Sequence, residues 1–496
     1  MKTGKKYFLI ITAVFLISRL LYYLAEVRFS LYNLYYPGQF LDPLLLRENL
    51  AQSLFFLHCQ PPLFNLILGI VLKLFPTDPV IGFNLVYLTM GFLLSISLFY
   101  LMRRLKVGSG ISLILTGVFM ISPSCVLFEN YLFYTYFVTA FLCFSALFLH
   151  RYLTKNRLAD AVVFFFLIAG LVLIRNVFHI FWFFFIAGIV FFFQRGERKK
   201  IFLAFIGPCL ILLFVYGKTF IVFGYPAAST SLGMSLYHVA ACFMPEETRR
   251  EAVRSSDGGI SDLSLLSPVP TLKPLRCYPA RWKSYEATGI PVLDQTHKSN
   301  GKDTNFNHIA YIAIGKQYTG DALKLILRYP GYYFHSILFA IESYFRPASD
   351  YFCDFEDGRM PLPRISRIYN LAISGRFICP VKPVSRVDSP VKYYASRLSI
   401  FFLIGIPLLI IFGLSVTWKS LRRKVPDRPY ALTMLFIMIN IITVTLVANL
   451  LSMGENMRHR FVLEPYFLVL LGLFLRSIKR RLGLSRKGRV KKIRSE

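Results

Sequence analysis

Residues 161–193 read AVVFFFLIAGLVLIRNVFHIFWFFFIAGIVFFF. The run is apolar on every helical face and is broken by polarity only around Arg175, Asn176 and His179. Helices that face lipid read this way, whereas a helix lying on a soluble core shows one apolar stripe. The run divides at its polar centre into two expected membrane crossings, about 159–174 and 178–193.

Runs of the same kind recur along the chain. The hydrophobic fraction is 55% and the mean hydropathy is +0.53, too apolar for an ordinary soluble domain. At roughly 20 residues per crossing, the 496 residues hold about ten spans and one sizeable loop region. The expected fold class is therefore an all-α polytopic membrane protein. The formal charge of +31 would suggest nucleic acid in a soluble chain. Here the cations cluster between apolar runs, at Arg103–Lys106, Arg195–Lys200, Lys419–Lys424 and Arg476–Lys492. They read as cytoplasmic anchors facing anionic membrane lipid, and no nucleic-acid partner is expected.

Parity then sets the topology. The first span, about Tyr7–Ala25, follows Lys2, Lys5 and Lys6, lacks a small-residue cleavage site and reads as an uncleaved helix. Further spans are expected at about 80–102, 111–127, 131–149, 201–216, 400–416, 430–451 and 461–475. Both ends of Pro61–Phe75 must lie outside, so this short stretch reads as an interfacial helix. Leu323–Phe345 contains an apolar helix that either dips into the membrane or spans it. The chain divides into an N-terminal membrane module (1–217, with a first outer loop at 26–79), an extracytoplasmic loop domain (218–398), C-terminal membrane helices (399–478) and a basic cytoplasmic tail (479–496). The expected location is the plasma (inner) membrane, with the active site on its extracytoplasmic side. Cys125, Cys143 and Cys209 lie in apolar runs as packing residues, while Cys59, Cys242, Cys277, Cys353 and Cys379 face the outer space, where disulfides can form.

On that outer side the charges gather. Asp42 lies in GQFLDPLLLRENLAQSLFFLHCQPPLFNLILG, residues 38–69, and reads either as a solvated loop acid or as a catalytic base. Glu129, at a turn with Asn130 and Tyr131, reads as a turn residue or a partner of Asp42. Arg175 either snorkels or binds, and His179 fits a core histidine better than a metal ligand. Lys218, in YGKTFIVFGYP, either holds phosphate or snorkels. Asn305, Asn307 and His308 flank Phe306 and either close a loop through Asn side-chain turns or contact sugar hydroxyls. Glu455 and Arg458 sit in GENMRHRFVLEP, residues 454–465. No nucleophile elbow, P-loop, dinucleotide fingerprint or HExxH motif is present. Acids facing Arg and Lys at a membrane surface suit a substrate with a phosphate head and a lipid tail.

These residues resemble the GT-C integral-membrane glycosyltransferases, in the branch of protein O-mannosyltransferases and aminoarabinose transferases. In that family an acid in the first outer loop precedes a Pro-Pro-Leu-aromatic helix, matched by Asp42 and Pro61-Pro62-Leu63-Phe64. A second acid matches Glu129, and an acid-x-x-Arg pattern before an aromatic and a Pro matches Glu455, Arg458, Phe461 and Pro465. Many members carry Lys or His immediately before Pro-Pro; this chain has Gln60, with His58 two residues earlier. The resemblance implies a polyprenyl-phosphate sugar donor, a lipid, glycan or protein acceptor, an inverting displacement, and Asp42 as the base. Members differ in their need for a divalent cation, and no residue pattern here requires one. The alternatives are a transporter or flippase of lipid-linked sugars and a non-catalytic subunit of an envelope-polymer assembly complex.

Overall fold

A computed structural model describes residues 2–35, 40–255, 288–353, 363–375, 399–422 and 427–493. Gly38, Gln39, Cys277, Cys379, Pro268–Pro279 and the Lys424 end of one basic cluster lie outside the described residues. Among the described residues the chain is all helical, with 79% helix and no strand; pairing is limited to two isolated bridges, Ser30 with Tyr131 and His297 with Thr304.

Among the described residues, seven helices are long and apolar enough to cross a membrane: Lys5–Leu24, Pro79–Arg104, Thr135–Lys155, Arg195–Phe223, Ile400–Leu421, Arg428–Leu451 and Asn456–Gly483. The chain is thus a multi-pass membrane protein by length and composition of its helices. The expected span at 111–127 is broken. Ser109–Met120 and Pro123–Glu129 meet at a 57° bend. The cause is local: Pro123 drives Ser122 out of the helical region, to ψ 139°. The freed Ser122 hydroxyl then caps the second piece by accepting from the Cys125 N–H at 3.1 Å. The bent pair makes an eighth crossing if it counts as one. The remaining two expected spans are the shorter helices Leu158–Ile174 and Ile180–Phe193. The Leu323–Phe345 expectation also changes. Pro330 opens a separate helix, Pro330–Tyr344, after Ala310–Arg328 has ended.

Thr135–Lys155 is the central helix. It packs against Pro79–Arg104, Leu158–Ile174, Arg428–Leu451 and the last long helix. Lys5–Leu24 and Ile400–Leu421 are each only 17% buried across their apolar windows, so they present apolar surface outward as a lipid-facing helix does. Pro62–Leu74 forms the short helix expected after Pro-Pro and buries Phe64, Leu68 and Leu72. A second, smaller core gathers Tyr237, Tyr311, Ile314 and Tyr318 on the helices between residues 232 and 328.

Candidate functional site

Aromatic rings organise the candidate site. Phe40, two residues before Asp42, packs on Phe64 at 5.1 Å, Phe133 at 5.7 Å and Tyr134 at 6.3 Å between ring centroids. Phe64 belongs to the Pro-Pro-Leu-Phe stretch and reaches Tyr134 at 5.8 Å. Tyr134 immediately precedes the central helix, so one ring joins the first loop to the bundle.

Two arginines lie over the same ring. The Arg175 guanidinium carbon is 4.6 Å from the Tyr134 centroid, and that of Arg458 is 5.7 Å from it. Arg458 also lies 4.6 Å over Phe133 and 5.4 Å from Tyr351. Arg458 is buried, at 3% exposure. Its Nη2 donates to Glu455 at 2.5 Å, and its Nε is buried with no hydrogen-bond partner. Next to it, buried His459 has an Nε2 without a partner. Burial, and then Arg458 alongside, push the half-buried Arg175 guanidinium below its ordinary pKa. A guanidinium stays protonated in proteins, so this cost remains as unbalanced positive charge. Glu455 answers Arg458 with a half-exposed carboxylate. Arg175 on one side and Glu455 with Arg458 on the other come from two segments far apart in sequence; the fold brings them together.

Asp42 sits beside this wall under different constraints. Its carboxylate caps the Pro43–Glu48 helix by accepting from the Leu44 N–H at 3.0 Å. It also accepts from the Ser299 N–H and hydroxyl, both at 2.7 Å. Ser299 belongs to a turn closed by Asn300 and Asp303, with Gly301 at φ +68° supplying the left-handed position. The preceding Lys298 is buried, donates to the Tyr35 carbonyl and lies in the field of Asp42. Burial pushes its ammonium down to about 8 against the pull of Asp303 and Asp42. Asp42 is therefore a buried, triply hydrogen-bonded carboxylate and not a solvated loop acid.

His58, Lys218 and the Asn305–His308 segment form a separate knot. His58 is fully buried, with Nε2 facing the Asn307 carbonyl at 2.9 Å and Nδ1 facing the Thr230 hydroxyl at 3.0 Å. The carbonyl can only accept, so the proton sits on Nε2. Burial pushes the ring down to about 3, so it stays neutral. Asn307 Oδ1 accepts from the His58 and Cys59 N–H groups, and Lys218 Nζ donates to the Leu57 carbonyl at 2.7 Å. Asn305 donates to the Val292 and Gln295 carbonyls. His308 Nδ1 accepts from the Ala310 N–H at 3.2 Å. These groups close loops; their polar atoms are largely spent on backbone. Gln60 is partly buried between this knot and the Pro-Pro helix. His179 caps Ile180–Phe193 through Nδ1 at 3.4 Å from the Phe181 N–H.

Glu129 shares no contact with Asp42. It is paired with Arg19, a residue that the sequence reading passed over inside the first helix. Arg19 Nε reaches Oε1 at 2.7 Å and Nη2 reaches Oε2 at 2.6 Å, a bidentate fork. The Tyr136 hydroxyl donates to Oε2 at 2.7 Å, and Arg19 Nη1 donates to the Met120 carbonyl at 2.6 Å. The signal was available: a lone arginine inside an apolar span calls for a buried acid. Among the described residues no group of three or more His, Cys, Asp or Glu is placed to hold a metal ion. Comparison with family models, with curated proteins and with solved structures returns no match.

Proposed function

We propose that this chain transfers a sugar from a polyprenyl-phosphate donor to a hydroxyl-bearing acceptor at the Asp42 end of the helix bundle. The observation that carries the reading is the cationic site on Tyr134: Arg175 and Arg458 crowd one ring, and the Nε of Arg458 and Nε2 of His459 are buried without partners. One carboxylate, Glu455, stands against two guanidiniums; a desolvated cation is costly unless an anion answers it, and a planar guanidinium suits a phosphate oxygen pair. The aromatic wall of Phe40, Phe64 and Phe133 gives such a head group an apolar flank. In the proposed step Asp42 takes the acceptor's hydroxyl proton. The freed oxygen bonds to the anomeric carbon from the face opposite the phosphate. The anomeric carbon–oxygen bond breaks, and the polyprenyl phosphate leaves with its electrons onto the arginine site. The Asp42 end faces the extracytoplasmic space in this reading.

Arg458→Lys tests the phosphate role. The lysine keeps a charge and loses the fork, and one charge-assisted hydrogen bond is worth about 1.5–3 kcal/mol. The apparent donor constant should rise about tenfold or more, with folded yield unchanged, and Arg175→Lys should act in the same direction more weakly. Unchanged donor dependence in both variants overturns the assignment.

The 57° break beside Glu129 favours transport as a second reading, because interrupted helices line many substrate paths. Purified protein in detergent, with no compartments to separate, distinguishes the two. Formation of a glycosylated acceptor from a polyprenyl-phosphate sugar supports transfer. Failure there, with movement of the intact donor across proteoliposomes, supports transport.

A further inference from the structure

The opposite end of the central helix carries a second cationic feature. Tyr134 precedes Thr135–Lys155 at one end, and Lys155 closes the other, about 30 Å away at 1.5 Å per residue. There the ends of Pro79–Arg104 and Thr135–Lys155 border two adjoining open recesses of ≈ 310 and ≈ 470 Å³, both lined by Tyr100 and Arg104. Arg151, Lys155 and Leu147 complete the first, and Lys106, His150 and Asp427 line the second.

The charge balance is uneven. Lys106 is paired with Asp427, and Arg151 with Asp160 at 2.8 Å. Arg103, also on the second cavity, donates to the Val107 carbonyl at 2.6 Å. That leaves Arg104 and Lys155 without a hydrogen bond or ion pair among the described residues, and the Nε of Arg151 buried and unpartnered. His150 lines the second recess, with its Nδ1 3.2 Å from the Thr433 hydroxyl. Leu147 and Tyr100 give the cleft an apolar side. Cations around a recess between helix ends, with an apolar flank, recognise a phosphate that carries an apolar tail or stands alone.

We infer that this cleft binds one phosphate group, that of an anionic lipid or free phosphate, at a site separate from the Tyr134 site. The full-length protein in nanodiscs tests it. In phosphatidylcholine discs doped with phosphatidylglycerol, native mass spectrometry counts retained phosphatidylglycerol. In phosphatidylcholine discs alone, inorganic phosphate is titrated against the thermal midpoint. Removing Arg104 and Lys155 together, as Arg104→Gln with Lys155→Gln, should weaken binding roughly 30-fold, from the usual contribution per cation. Lys155→Gln alone, at an exposed side chain, should lose about fivefold with folding intact. Lys316→Gln with Arg328→Gln, exposed cations on the separate Ala310–Arg328 helix, should change nothing. Selective loss in the first arm identifies a lipid head group, and selective loss in the second identifies free phosphate. Parental behaviour of both cleft variants in both arms overturns the site, as does an equal loss in the Lys316/Arg328 control.

Discussion

Glu129→Gln should cost about 3–5 kcal/mol of folding stability, the usual penalty for leaving a buried charge without its partner. Glu129 is 1% exposed and receives both arms of the Arg19 fork as well as the Tyr136 hydroxyl. Glutamine keeps the shape and offers one neutral oxygen, so Arg19 stays buried beside an amide that cannot balance it. The packing around the pair has no slack. A Cβ built on Gly91 would stand 2.0 Å from Glu129 Oε2 and 2.6 Å from the Tyr136 hydroxyl oxygen. The measurement is the thermal midpoint of detergent-purified protein, read beside donor turnover. A Glu129→Gln variant that keeps the parental midpoint and loses turnover would return Glu129 to the chemistry. Pairing the change with Arg19→Gln should recover much of the loss, because the second substitution removes the charge that the first left stranded.

The distinction between what the sequence disclosed and what it hid follows sequence separation. Apolar composition is a local property, so seven of the expected crossings fall on long apolar helices, two on shorter ones, and the Pro62–Leu74 helix begins where Pro-Pro places it. Two boundaries moved for local reasons that composition masks. Pro123 interrupts a run whose hydropathy continues across it. The seventh expected span, drawn to residue 216, continues to Phe223, which puts Lys218 inside a helix with its ammonium on the Leu57 carbonyl. The site depended on contacts that no window contains. Arg19 and Glu129 lie 110 residues apart, and Asp42 and Ser299 lie 257 apart. Arg175 and Arg458 were singled out for their charge, but their meeting on Tyr134 is a consequence of helix packing alone. His58, Asn305 and Asn307 carried polar chemistry that suited a ligand equally well. Only their partners show that they are tied to backbone groups.

Asp42→Asn should lower donor turnover by roughly 100- to 10,000-fold, the usual contribution of a general base. The structure makes this a compound change. Asparagine also loses an acceptor oxygen, and its amide would point a donor at Ser299, which already supplies two N–H and O–H donors to the carboxylate. A structural tether and a base would therefore both respond to Asp42→Asn, and turnover alone cannot separate them. Ser299→Ala does. It removes one of the three hydrogen bonds on the carboxylate and leaves the Leu44 cap and the Ser299 N–H in place. If Asp42 is the base, Ser299→Ala should keep turnover per folded protein within a few-fold of the parent, while Asp42→Asn should lose roughly 100- to 10,000-fold at comparable folded yield. If Asp42 only anchors the turn, both variants should lose turnover in proportion to lost folded protein.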